Sequence, residues 1–142
     1  MDGLVSRTAK KAIKTQRGIL NLSTGSFIEF LPILQLFRQE YTPSTLPYHI
    51  IVPSLPGYTF SSGPPVDRNF TTHDIARVLD HLMRDLGFES GYIAQGGDIG
   101  SRIARILGVD YASCRGMINS NLFRRTVIAN MFPAVHRKYT VL

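Results

Sequence analysis

Apolar residues along this chain recur with two periods, and the way those periods alternate predicts its architecture. Phe27, Phe30, Leu31, Leu34 and Phe37 fall at helical spacing. Ser26 with Glu29 three positions on is a capping-box pattern, so a helix is expected to open there, with Pro32 in its second turn. His49-Ile50-Ile51-Val52 is a short continuously apolar run, as used in a parallel sheet covered on both faces, and Pro53 ends it. A second helix opens at Thr71 or Thr72 with Asp74 in its first turn. Ile75, Val78, Leu79, Leu82, Met83 and Leu86 form its apolar stripe, and Gly87 supplies the stop. Residues 91–95 read as a strand, 96–100 as a turn and the stretch to about 108 as a helix with Ile99, Ile103, Ile106 and Leu107 inward. Residues 115–119 make a third strand. The order helix, strand, helix, strand, helix, strand predicts an α/β fold: a parallel sheet of about three recognisable strands, built by two successive right-handed crossovers.

Composition narrows the class. The chain has 142 residues, 44% of them hydrophobic and 18% charged, which is enough for one domain with a modest core. No apolar run approaches the roughly 20 residues of a membrane span. The single Cys114 excludes an internal disulfide and fits a reducing, cytoplasmic setting. The net charge of +6 sits at the ends. Residues 1–17 carry five basic side chains against Asp2, residues 123–142 carry four and no acid, and the stretch between is net −2. A basic body with interleaved aromatics, as nucleic-acid binding requires, is therefore not expected. The N-terminal basic segment faintly resembles a transit peptide, with a frayed terminus the simpler reading. Residues 123–142 show no pattern beyond a possible helical stretch around 124–132.

The chemistry concentrates at Gln95-Gly96-Gly97-Asp98-Ile99-Gly100-Ser101. Small residues two before and two after a central polar residue, between a strand and a helix, describe a nucleophile elbow. The central residue is Asp98, and a carboxylate there would attack carbon directly and form an ester. Helix capping is the competing explanation of Asp98, but a cap needs neither flanking glycines nor a preceding strand. His49, His73 and His81 have ordinary structural explanations. Arg102 and Arg105 fit a solvated helix face. No metal-ligand cluster or cofactor motif is present. Residues 54–65, mixing Gly, Pro and aromatics, read as a shaped surface loop, and its Tyr58 is a candidate for the mouth of the site, with loop packing as the alternative.

Three segments carry a resemblance. Val52-Pro53-Ser54-Leu55-Pro56-Gly57-Tyr58-Thr59-Phe60-Ser61, the elbow with its strand from Tyr92 to Ser101, and Gly25-Ser26-Phe27-Ile28-Glu29-Phe30 together resemble the soluble epoxide hydrolases, fungal and microsomal-type, of the α/β-hydrolase superfamily. The similarity covers about residues 25–122. It implies a partial α/β-hydrolase core at 23–122, flanked by a poorly matched basic segment at 1–22 and an unassigned basic tail at 123–142. It also implies that Asp98 attacks the less hindered epoxide carbon and that water, activated by a His–carboxylate pair, hydrolyses the ester to a vicinal diol. The backbone N–H of Ile99 would contribute to the oxyanion hole. Haloalkane dehalogenases resemble this design but usually place Trp after the nucleophile; here Ile99 stands there and the chain has no Trp.

The chain also departs from that family. A His-Gly-Trp-Pro-type loop would precede Gly25-Ser26, where the chain reads Leu20-Asn21-Leu22-Ser23-Thr24. The family's cap tyrosines, acid and histidine follow the strand that ends near Asn119, whereas after Asp98 this chain holds one acid, Asp110, and one histidine, His136. The expectation is a catalytically incomplete, truncated hydrolase with a small-molecule epoxide as its substrate. A non-catalytic fragment that binds a protein is the alternative, with self-association through exposed sheet edges.

Overall fold

The computed structural model describes residues 17–22 and 27–119. The expected cap at Ser26, the basic N-terminal residues before Arg17, the tail at 123–142 with its possible helix and His136 lie outside the described residues. Four parallel strands, β1 (Arg17–Leu22), β2 (Tyr48–Ile51), β3 (Tyr92–Gly96) and β4 (Cys114–Asn119), form one sheet in the order β2-β1-β3-β4. The helices are α1 (Leu31–Glu40), α2 (Thr72–Asp85) and α3 (Ile99–Asp110).

The largest correction to the sequence reading is β1, which stands inside the sheet rather than in a frayed terminus. Gly18 pairs with Tyr92 and His49, and Leu22 with Gly96, so β1 is bonded on both sides. Its side chains alternate between layers, with Leu20 and Leu22 in one core and Ile19 in the other. Gly18 is required because a Cβ there would lie 2.8 Å from the Phe88 ring. The basic run before it and the glycine inside it hide the strand from a pattern search.

Placing β1 between β2 and β3 reverses the winding direction. From β1 the chain moves outward to β2, then crosses back over β1 to β3 and continues to β4. With right-handed crossovers, that reversal puts α1 on one face and α2 and α3 on the other. The packing agrees: Phe37 of α1 buries against Ile19, whereas Leu79 and Met83 of α2 and Ile103 and Leu107 of α3 share a core with Leu20 and Leu22. The crevice between β1 and β3, at the carboxyl ends of the strands, is the switch point where open α/β sheets bind ligands.

Two helices differ in detail from expectation. Residues Phe27–Phe30 form a 3-10 turn, so the α-helix begins at Leu31 and Pro32 falls in its first turn, where its missing N–H costs nothing. In α2 the buried face is Ala76, Leu79, Asp80 and Met83, which leaves Val78 and Leu86 at the rim. Thr71 and Asp74 do cap that helix: the Asp74 carboxylate accepts from the Thr71 N–H and hydroxyl, each at 2.9 Å. These bonds, with Arg77 adding to them, hold the Asp74 carboxyl below its ordinary value.

Asp80 is the buried charge of this core. It accepts from the Tyr92 hydroxyl at 3.0 Å and from Ser113, and pairs with Arg84 Nε at 3.1 Å. The cluster ties α2 to the start of β3 and to the turn before β4. Burial first, and the Asp80 charge second, push the Tyr92 phenol well above its usual range.

Two stability measurements check this packing. A Cβ on Gly100 would lie 2.3 Å from the Leu22 carbonyl oxygen, whereas one on Gly63 meets nothing within 4 Å. In urea unfolding, Gly100→Ala should lose about 3 kcal/mol and Gly63→Ala less than about 0.5 kcal/mol; equal midpoints would contradict the close approach. Tyr92 stays neutral when folded, while the unfolded phenol ionises near pH 10. Its contribution is therefore intact below pH 10 and declines above it, by about 1.4 kcal/mol per pH unit. The stability difference between the native chain and Tyr92→Phe should accordingly change between about pH 9.5 and 11, and a constant difference would refute the burial account.

Candidate active site

The turn from β3 into α3 is set by sterics. A Cβ on Gly96 would lie 2.4 Å from the backbone carbonyl of Gly100, and one on Gly100 would strike the Leu22 carbonyl. The two glycines flanking Asp98 at i−2 and i+2 are thus what lets strand, helix and the end of β1 come together. The residue between them adopts φ 48° and ψ −122°, outside the regions open to most side chains. Such strain costs on the order of 1–3 kcal/mol and persists only where the surrounding structure enforces it.

The same geometry decides between cap and elbow. Asp98 precedes the first residue of α3, yet its carboxylate makes no capping hydrogen bond, and its backbone is not in the extended region that caps use. Asp74, in the first turn of α2, shows what a carboxylate engaged at a helix start looks like in this chain. The Asp98 carbonyl, by contrast, is fully used: it accepts from the Ser101 N–H at 3.0 Å and from the Ser101 hydroxyl at 2.5 Å. The backbone is fixed and the side chain is left exposed to solvent. Ile99 is the first residue of α3, so its N–H has no intrahelical acceptor and points out of the positive end of the helix.

Beside the elbow, Asn21 of β1 donates its side-chain amide to Gln95 of β3. The two residues are register partners one position before Leu22 and Gly96, so the bond clamps the floor of the crevice. The sequence pattern offered no sign of this pair, because one member lay in a segment not recognised as a strand.

No described bond joins the other polar residues singled out in the sequence to Asp98. Asp110 pairs with His73 at 3.5 Å at the far end of α3, about 16 Å along the axis from its head. His49 packs its ring against Phe88, 5.6 Å between centroids, and His81 contacts Arg84 at 2.8 Å. Arg102 and Arg105 are exposed. Tyr58 is 38% exposed in the loop after β2, and no described bond joins it to the elbow. The neighbouring Phe60 is more prominent, at 85% exposure, and its ring meets that of Phe27 at 6.0 Å. Among the described residues no group of three His, Cys, Asp or Glu is arranged to hold a metal, and no helix is long and apolar enough to cross a membrane.

A reversed α/β sheet with a strained acidic elbow at its switch point is the signature of a hydrolase class, and comparison with known proteins agrees. The family model described as alpha/beta hydrolase fold matches residues 18–134, so the chain belongs to that family. Within it, the matched part is that of an epoxide hydrolase family member. The solved epoxide hydrolase of Aspergillus niger superposes with a TM-score of 0.71 and 61% identity, over 73% of this chain and 28% of that one. A Dothistroma septosporum protein with a provisional epoxide hydrolase name is 53% identical over 88 residues, 62% of this chain and 21% of the relative. Juvenile hormone epoxide hydrolase 2 of Ctenocephalides felis is 34% identical over 108 residues, 75% of this chain and 23% of its own length. The chain thus spans roughly a quarter of the relatives it matches.

Proposed function

We propose that this chain carries the nucleophilic half of an epoxide-hydrolysing site, with Asp98 as the nucleophile. The observation that carries the reading is the backbone of Asp98, held at φ 48° so that an exposed carboxylate, engaged in no capping bond, stands at the head of α3. In the first step a carboxylate oxygen donates its electron pair to the less hindered ring carbon. The carbon–oxygen bond of the ring breaks, its electrons pass to the epoxide oxygen, and that oxygen takes a proton from solvent water, leaving hydroxide, as the ester forms. In the second step water adds to the ester carbonyl, which is Asp98's own. The Ile99 N–H at the helix head would stabilise the oxyanion that develops there. Collapse releases the vicinal diol and restores the carboxylate. The epoxide hydrolase names of the relatives support the substrate class, and Ile99 in place of Trp argues against halide as the leaving group.

The second step needs a base for the water. Among the described residues no histidine or second carboxylate is bonded to Asp98, and Asp110 is engaged with His73 away from the elbow. Among the described residues the nucleophile thus has no water-activating partner, and on this reading the reaction stops at the ester.

Two outcomes follow. Incubation with styrene oxide should add one substrate mass to the peptide containing Asp98, detected by mass spectrometry, and Asp98→Asn should abolish it; an adduct that persists in Asp98→Asn contradicts the assignment. Epoxide consumption by the purified chain should stop at about one equivalent per chain with no diol released, because the esterified nucleophile is consumed. Sustained multiple turnover would show that a base is supplied after all. Halide release from a haloalkane with no reaction of the epoxide would instead favour a dehalogenase.

A further inference from the structure

Asp98 and Thr59 are the only non-glycine residues at positive φ among the described residues, at 48° and 51°. For a β-branched residue such as Thr59 that conformation is disfavoured, and it needs a local reason. The loop around it is tightly braced. Leu55 is buried in the main core at 1% exposure, the Gly57 N–H donates to the Ser62 carbonyl at 3.0 Å, and the Tyr58 N–H donates to the Leu55 carbonyl at 2.9 Å. The Ser61 N–H donates to the Tyr58 carbonyl at 3.0 Å, and the Ser61 hydroxyl to the Ser54 carbonyl at 2.8 Å. What this bracing holds out is Phe60, 85% exposed, whose ring touches Phe27 with the planes tilted by 43°.

Both rings belong to the edge of the sheet that carries Asp98. Phe27 follows the carboxyl end of β1 by five residues, and it is the end of β1, at Leu22, that Gly100 approaches. Phe60 lies in the loop leaving the carboxyl end of β2, one strand further out. β2 and β3 flank β1, so the loop that carries Phe60 and the turn that carries Asp98 leave the sheet from strand ends about 10 Å apart. Ile28 and Leu31, on the same turn as Phe27, are also exposed, at 50% and 44%. An apolar surface held out at the same carboxyl edge of the sheet as an exposed carboxylate fits a ligand with a polar end and an aromatic or alkyl end.

We propose that Phe60, with Phe27 beneath it, is the specificity-determining wall that receives the organic substituent of the epoxide and favours an aryl group there. This rests on Asp98 being the nucleophile. The wall acts on the choice among epoxides and takes no part in the chemistry at the carboxylate.

The test is the rate of Asp98 ester formation with styrene oxide and with propylene oxide, followed by mass spectrometry on the native chain and its variants. Intrinsic reactivities cancel when each variant's styrene-to-propylene rate ratio is divided by the native ratio. Phe60→Ala should lower that ratio roughly tenfold, Phe27→Ala should lower it in the same direction, and Phe60→Tyr should retain it. Val66→Ala, at a fully exposed position of the following loop, should leave it unchanged. Ester formation with an unaltered ratio in both alanine variants would overturn the wall while leaving Asp98 as nucleophile. No ester with either epoxide on the native chain would overturn the nucleophile, and the wall with it.

Discussion

Where β3 turns into α3, two glycines and the carbonyl of Leu22 meet at distances that admit no side chain, and the candidate site depends on that contact. A Cβ on Gly96 would reach within 2.4 Å of the Gly100 backbone, and one on Gly100 within 2.3 Å of Leu22. With both ends of the turn pinned, the residue between them has no relaxed conformation available, and Asp98 takes φ 48°. The strain has a chemical consequence: the carboxylate cannot fold back to cap the helix and so remains free at its positive end. The orientation of the Asp98 side chain is here a property of backbone packing.

That contact has requirements of its own. Leu22 must stand beside Gly96, which means β1 must lie between β2 and β3, and the reversal of winding at β1 opens the crevice above it. Asn21 bonded to Gln95 and Gly18 closed over by Phe88 hold β1 in that position from its two faces. Away from the site, Asp80, Tyr92, Ser113 and Arg84 lock α2 to the start of β3. Stability and chemistry thus occupy opposite ends of β3: buried hydrogen bonds at Tyr92, enforced strain at Asp98.

Much of this is legible in the residues, and the failures have physical causes. The elbow is visible because its glycines sit at fixed offsets, and α2 because its stripe repeats over four turns. β1 is invisible because it is six residues long, broken by Gly18 and Asn21, and preceded by a basic run with the composition of a disordered end. Its strand character comes from neighbours on both sides, which periodicity does not encode. Tyr58 is a candidate for the mouth of the site, with loop packing as the alternative, and Phe60 shares its loop. In the structure Phe60 is the more exposed of the two rings, and Gly57 and Thr59 on either side of Tyr58 take positive φ. That signal was present in the Pro-Gly-Tyr-Thr-Phe spacing, but only the dihedral angles make it specific.

The central claim is that the strained elbow makes the Asp98 carboxylate a nucleophile toward epoxide carbon. Its most direct test is a crystal structure of the chain after exposure to a terminal epoxide. The account predicts continuous electron density from an Asp98 carboxylate oxygen to the terminal carbon of the opened ring, with the Asp98 backbone still at positive φ. An unmodified Asp98 beside an ester on another carboxylate, such as Glu29 or Asp67, would contradict it.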